Sequence, residues 1–102
     1  TVQEAIDRLI PNEVKNAIEK GKKVLRQGDL WFIETKYKRE KIEFEQNVEI
    51  RQNHIAEYIN RAKQLASGRI THPEHGIVDL GEGVYKVARN VRVSRSRGRY
   101  YD

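Results

Sequence analysis

A β-hairpin is predicted by residues 24–33, which read VLRQGDLWFI. Gly28 stands where the chain must turn, and glycine readily adopts the positive φ that tight hairpin turns require. The second arm, Leu30 to Ile33, is apolar at every position and rich in strand-forming residues. Because a strand that is apolar on both faces is typical of the interior of a sheet, we expect this arm to be a central strand.

More β structure is predicted on the C-terminal side of the hairpin. Residues 42–50 alternate between apolar and polar side chains, so one face should pack and the other should meet water. The alternation predicts that Phe44 and Val48 are buried, and it predicts exposure for Glu43, Glu45 and Glu49. Residues 77–80 and 84–93 flank Gly81-Glu82-Gly83 and predict a second hairpin.

Helical periodicity appears in three other places. Apolar residues between Val2 and Ile10 predict a first helix that stops at Pro11, and Pro11 opens a second helix that ends at Gly21. Residues 53–67 have a helical apolar stripe, although two short strands are an alternative. Residues 71–76, THPEHG, match the capping-box spacing through Thr71 and Glu74, and predict one helical turn.

These elements predict an α+β fold, in which an N-terminal helical pair precedes an antiparallel sheet or small barrel of about five strands. With 102 residues the chain is long enough for one domain. We assign residues 1–93 to this domain. Residues 94–102 lack apolar periodicity and predict a basic, flexible C-terminal tail.

The composition excludes several classes of protein. The absence of cysteine excludes disulfides, thiolate zinc sites and cysteine nucleophiles. No apolar run reaches the roughly 18 to 20 residues that cross a bilayer, and no leader sequence is recognisable, so we expect a cytoplasmic protein without a membrane partner. The absence of methionine together with 34% charged residues is typical of heat-adapted proteins.

The net charge of +5 is unevenly distributed. The last 17 residues carry six cations and one anion, so the whole excess lies there. Arginines in an extended segment project toward a polyanion, and tyrosine rings stack on bases. DNA or RNA is therefore the predicted partner. The predicted contact residues are Arg89, Arg92, Arg95, Arg97, Arg99, Tyr100 and Tyr101.

The three histidines, His54, His72 and His75, form the other candidate site. On a helical turn His72 and His75 would point to one side, where they and His54 could share a metal ion or a phosphate. Without a metal, two histidines could act as general acid and general base on a phosphodiester. The alternative that we favour is a capped turn that brings the histidines close together and holds no metal or other cofactor.

Three of these motifs together resemble a family of small phage and prokaryotic proteins that has no established activity. The shared motifs are R-Q-G-D at residues 26–29, T-H-x-E-H at residues 71–75, and L-x-x-G-x-Y-x-V at residues 80–87. The resemblance covers roughly residues 24–90, and it implies a mostly β core and a phage or viral origin. Family members often carry G-H-x-H in the centre, where this chain has Asn53-His54-Ile55-Ala56 and so keeps only the first histidine.

The sequence therefore favours a non-enzymatic nucleic-acid-binding protein that acts through its C-terminal arginine-rich arm. Two alternatives come from other classes of protein. One is a metal site or a phosphodiester hydrolase built on His54, His72 and His75. The other is a homo-oligomeric structural protein, which would be indicated by a large apolar face on the sheet.

Overall fold

Seven antiparallel strands and one short helix make up the structure, a computed structural model that describes residues 10–90. Helix α1 spans Asn12–Glu19 and a 3-10 turn spans Arg39–Lys41. The strands are β1 (Val24–Gln27), β2 (Leu30–Lys38), β3 (Glu45–Arg51), β4 (His54–Asn60), β5 (Leu65–His72), β6 (Gly76–Asp79) and β7 (Gly83–Arg89). No helix within residues 10–90 is long and apolar enough to cross a membrane.

The strands form one sheet in the order β1-β2-β7-β5-β4-β3, and β6 pairs with β5. One side of β5 is shared by two partners, since Leu65 and Ala66 pair with β7 whereas residues 69–72 pair with β6. Gly68 lies between these two regions with a φ of 77°. Its carbonyl accepts a hydrogen bond from the Leu80 amide at 2.7 Å, which joins β5 to the start of the β6–β7 connection.

The hairpin predicted for residues 24–33 is confirmed. Strands β1 and β2 pair on either side of Gly28 and Asp29, and Gly28 has a φ of 61°. Strand β2 lies between β1 and β7, and its residues 30–33 are buried on both faces. The sheet has a hydrophobic cluster on each face. Leu30 and Phe32 belong to the larger cluster, with Ala56, Ile59, Ala66, Ile70, Leu80 and Tyr85. Trp31 and Ile33 pack on the opposite face against Val14 and Ala17 of α1.

The predicted fold class is wrong, because the protein is a β-rich domain rather than a helical pair followed by about five strands. The described residues contain seven strands and only one α-helix. That helix follows Pro11 and ends before Gly21, whose φ is 77°, as the sequence predicts. The first predicted helix lies almost entirely in residues 1–9, outside the described residues. The predicted boundary between residues 93 and 94 lies outside them too.

The helix predicted for residues 53–67 is also wrong, since β4 and β5 occupy this region. The buried residues of β4 are His54, Ala56 and Ile59, so their spacing changes from two to three. The pairing register between β4 and β5 also shifts between Ala56 and Tyr58, where β5 has one residue more than β4 and Gly68 has a positive φ. The predicted helical stripe consists of Ile55, Ile59, Ala62 and Leu65 or Ala66, but Ile55 is 42% exposed and Ala62 is exposed in the turn between β4 and β5.

Two other β predictions hold in part. The alternation of exposure over residues 42–50 is present, but β3 begins only at Glu45, and Phe44 and Val48 are half-buried rather than buried. Residues 77–80 and 84–89 are largely extended, but β6 and β7 do not form the predicted hairpin. Strand β6 pairs with β5, whereas β7 pairs with β2 and β5.

Candidate functional site

Three hairpin turns meet at one end of the sheet, and all three histidines lie in or next to them. They are the β1–β2 turn at Gly28-Asp29, the β3–β4 turn at Gln52-Asn53, and the β5–β6 turn at residues 73–75. The turns surround an open cavity of about 600 Å³, which we call the histidine depression. Its lining residues are Arg26, Gly28, Asp29, Gln52, Asn53, His54, His72, Pro73, Glu74, His75 and Asn90.

The buried side chain of Gln27 determines how His54 is oriented. The Gln27 amide nitrogen donates hydrogen bonds to the carbonyls of Ile70 and Gly76, both at 2.8 Å. These bonds use both amide hydrogens, so the amide oxygen faces His54 Nδ1 at 2.8 Å as an acceptor. Since an oxygen acceptor requires a donor, Nδ1 carries the ring hydrogen and Nε2 of the neutral ring keeps its lone pair.

The free nitrogen of His54 faces a carboxylate. His54 Nε2 lies 3.7 Å from Asp29 Oδ1, and the His54 side chain is only 2% exposed. Burial is the main cause that lowers the pKa of His54 below its ordinary value of 6.5, because an imidazolium is poorly solvated there. His72 and His75 lower this pKa as well, whereas Asp29 raises it. Around neutral pH the ring is therefore neutral, with an available lone pair.

His72 has a structural part in the same cluster. Its Nδ1 accepts hydrogen bonds from the backbone amides of Glu74 at 3.1 Å and His75 at 3.2 Å. Its Nε2 donates to the Gln52 carbonyl at 3.1 Å, so both ring nitrogens are engaged. The predicted helical turn with a capping box is wrong, because Thr71 lies within strand β5. The imidazole of His72, and not the Thr71 side chain, accepts the amide hydrogens of the turn.

His75 lies on the outside of the cluster and is exposed. Its ring packs against Gly28, where an added Cβ would lie 2.7 Å from His75 Cδ2. The ring centroids are 4.3 Å apart for His54 and His72, 4.5 Å for His72 and His75, and 6.2 Å for His54 and His75. The structure thus places the three histidines side by side. Within residues 10–90, however, no three histidine or acidic side chains already surround a common metal position.

Sequence reasoning missed Gln27 and Asp29 as members of the site. Both lie in the R-Q-G-D segment, which we interpreted only as a turn. No local signal distinguishes them, because aspartate is common in turns for local reasons. Gln27 bonds the β4 histidine and two carbonyls of the β5–β6 region, so the segment serves both the turn and the site.

A second concave surface adjoins the histidine depression. This arginine groove, about 370 Å³ in volume, has an apolar floor and is lined by three arginines, Arg51, Arg61 and Arg89. Its other lining residues are Leu30, Ile50, Ile59, Gln64, Val87 and Ala88. Arg51 precedes Gln52 of the depression, and Arg89 precedes Asn90, so the two surfaces share a border.

Of the predicted nucleic-acid contacts, Arg89 alone belongs to the described residues 10–90. Arg89, at the end of β7, is exposed and lies in the groove. The remaining predicted contacts, Arg92, Arg95, Arg97, Arg99, Tyr100 and Tyr101, lie outside the described residues. Arg61 was not predicted, and it forms a 2.7 Å ion pair with Glu45, in which both side chains are exposed. Comparison with known proteins gives no further assignment, because no protein family, curated protein or solved structure matches the chain.

Proposed function

We propose that this protein binds nucleic acid without catalysing a reaction, and that a single strand of DNA or RNA lies in the arginine groove. The observation that carries the proposal is the arrangement of Arg51, Arg61 and Arg89 around an apolar floor. Guanidinium groups bind phosphates in a bidentate manner, and apolar surfaces accept the faces of unpaired bases. The groove therefore offers both kinds of contact that a single strand requires.

Size and charge support this choice of ligand. At about 370 Å³ the groove is near the lower end of small-molecule sites, which are roughly 300 to 1,000 Å³, so one nucleotide at a time would occupy it. Among the described residues that line the groove there is no carboxylate, and the Glu45 carboxylate that pairs with Arg61 lies outside this lining. A single strand is favoured over a duplex, because the bases of a duplex are stacked against one another and do not present their faces to a protein.

The C-terminal segment is proposed to extend the same contact surface. Residues 91–102 follow Asn90, the residue after β7, and carry four of the chain's arginines, together with Tyr100 and Tyr101. Since Arg89 already lies in the groove, the segment continues the run of positive charge from it. We propose that these arginines contact further phosphates and that the tyrosines stack on bases, in the cytoplasm of a cell or of the host of a virus.

The proposal is tested by fluorescence anisotropy with a short labelled single strand, as DNA and as RNA, over a range of salt concentrations. The double variant Arg61→Gln with Arg89→Gln should weaken binding by roughly tenfold and lower the slope of log K against log salt by about 1.4. Deleting residues 94–102 removes three more arginines and should lower the slope by about two units on a single strand.

A matched control separates the groove from net charge. Lys20 and Lys22 line a different surface, beside Glu13 and Lys86. The double variant Lys20→Gln with Lys22→Gln removes the same charge, and we expect it to change affinity by less than about twofold. Equal losses in both double variants would show that the groove has no special part in binding.

Nuclease activity at the histidine depression receives less support. A phosphodiester placed between His54 and His75 would lie beside the carboxylates of Asp29 and Glu74, which line the same cavity and repel phosphate. His54 is also almost completely buried, which restricts access by a polymer. We therefore propose that the chain binds nucleic acid but does not cleave it.

A structural, self-assembling protein is likewise less well supported. The large exposed apolar residues of the described part are Ile18, Tyr37, Ile55 and Ile77. Only Ile55 and Ile77 are brought near each other by strand pairing, where both flank Thr71 on one face of the sheet. Two side chains form a patch too small to indicate an extended interface.

A further inference from the structure

We propose that the histidine depression is a binding site for one zinc-type divalent ion, held by His54 Nε2, Asp29 Oδ1 and the imidazole of His75. This differs from the histidine trio suggested by the sequence, because Asp29 takes the place of His72. The inference does not depend on nucleic-acid binding, and either proposal can fail without the other.

Two of the proposed ligands already face each other. His54 Nε2 and Asp29 Oδ1 are both electron-pair donors, and they lie 3.7 Å apart. Such a pair is repulsive unless a proton donor or a cation lies between the two atoms. Two ligands on a tetrahedral zinc ion, each about 2.0 to 2.1 Å from the metal, are roughly 3.3 Å apart. Asp29 is 36% exposed, so its side chain has room to close the difference.

The ring of His54 is supported from behind by Gln27. A metal-binding histidine commonly donates its other ring hydrogen to an oxygen acceptor, which fixes the tautomer and orients the ring. Here the acceptor is the Gln27 amide oxygen at 2.8 Å, and Gln27 is itself fixed by the carbonyls of Ile70 and Gly76. Because this arrangement is buried, it holds Nε2 in position before any ligand arrives.

Of the two other histidines, His75 and not His72 has a ring nitrogen that is available to a metal ion. His72 has no nitrogen to offer, because its Nδ1 caps the β5–β6 turn and its Nε2 bonds the Gln52 carbonyl. His75 is exposed, and its ring makes no hydrogen bond to residues 10–90. Rotation about its side-chain bonds would turn a nitrogen toward Asp29. The site would therefore be completed by His75 on binding, which agrees with the lack of a preformed three-ligand group in the described residues.

The chemistry of the ligands selects the class of ion. Two imidazole nitrogens and one carboxylate oxygen suit zinc and its first-row neighbours, whereas magnesium and calcium prefer oxygen ligands alone. Arg26 also lines the depression, but its guanidinium lies 4.6 Å from the Trp31 ring centroid, and its Nε donates to the Gly28 carbonyl. Three protein ligands would leave one coordination position for water.

The test uses the full chain, freed of metal with a chelator and titrated with Co²⁺ and Zn²⁺. We expect a visible absorption band from Co²⁺ that saturates at one equivalent and disappears when Zn²⁺ displaces it. Asp29→Asn and His75→Ala should each weaken Zn²⁺ binding by at least roughly tenfold, since even supporting residues around a metal cost that much. Circular dichroism should show that both variants stay folded, because neither side chain is buried.

The matched control is Glu74→Gln, which removes a carboxylate from the same turn without removing a proposed ligand. It should change Zn²⁺ affinity by less than about twofold. As a second readout, NMR of the histidine rings should show His54 Nε2 shifting on Zn²⁺ addition while Nδ1 keeps its hydrogen. Absence of saturable binding would overturn the proposal. So would equal binding by wild type and the Asp29→Asn, His75→Ala double variant, which would indicate an adventitious ion only.

Discussion

Replacing Gln27 with leucine removes the side chain that joins β1 to two other parts of the sheet. The wild-type amide donates to the Ile70 and Gly76 carbonyls and accepts from His54 Nδ1, each at 2.8 Å. Leucine has a similar volume but no polar atoms, so it leaves these three groups without their partner. Leaving a buried polar group unsatisfied costs about 1 to 3 kcal/mol. The Gly76 bond is only partly buried, so we expect a total loss of about 3 to 5 kcal/mol.

Urea denaturation followed by circular dichroism measures this loss as a change in the free energy of unfolding. The slope with urea should stay constant, because the substitution leaves the exposed surface of the unfolded chain nearly unchanged. Gln46→Leu is the matched control, since Gln46 is exposed on β3, and it should change stability by less than about 0.5 kcal/mol. If Gln27→Leu costs as little as the control, the proposed role of Gln27 in holding His54 is refuted.

Three more predictions concern the same molecule. Because folding lowers the pKa of His54, the unfolded chain binds more protons than the folded chain below about pH 7. The free energy of unfolding should therefore fall as pH drops through 6.5, by at most about 1.4 kcal/mol per pH unit for this group. Urea denaturation at several pH values measures this fall, and its absence would show that the pKa of His54 is not lowered. Gly28→Ala should destabilise the protein by about 1 to 2 kcal/mol, because φ is 61° at this position and the new Cβ would meet the His75 ring. Unchanged stability in urea denaturation would contradict this. Phe44→Ala should cost about 1 to 2 kcal/mol in the same assay, since Phe44 is half-buried and packs edge-on to Tyr58 at 6.0 Å, whereas a loss above 3 kcal/mol would indicate a fully buried ring.

The parts of the fold that could be predicted are those encoded by local sequence. The turn at Gly28 and the apolar run from Leu30 to Ile33 specify a hairpin with a central second strand, and both features depend on neighbouring residues only. The end of α1 at Gly21 is local in the same sense, because glycine relieves the strain of a positive φ.

The errors arose where distant parts of the chain decide the structure. The apolar residues of 53–67 have helical spacing, but they lie in two strands and the turn between them, and strand pairing decides which of them are buried. Strands β6 and β7 are adjacent in sequence but do not pair, because β5 takes β6 at one end and β7 at the other. Pairing preferences of this kind depend on the whole sheet and leave no signature in a short window of sequence.

The candidate site was only partly predictable for the same reason. The three histidines are visible in the sequence because their side chains suggest chemistry near neutral pH. The roles of Gln27 and Asp29 depend on a turn that approaches His54 across the sheet, 27 and 25 residues away in sequence. His54 keeps one ring nitrogen available, whereas both ring nitrogens of His72 bond to the backbone of neighbouring turns. The residue types alone do not specify these bonds.

The central claim is that a single strand of nucleic acid lies in the arginine groove, and NMR mapping tests it most directly. A short unlabelled single strand is titrated into the full chain labelled with ¹⁵N, and the amide shifts are followed residue by residue. We expect the largest shifts among residues 10–90 at the groove, at Arg61, Val87 and Arg89, and no change in α1 on the opposite face. Saturating shifts centred on α1 or on the histidine depression, with the groove unaffected, would contradict it, as would no shifts at all.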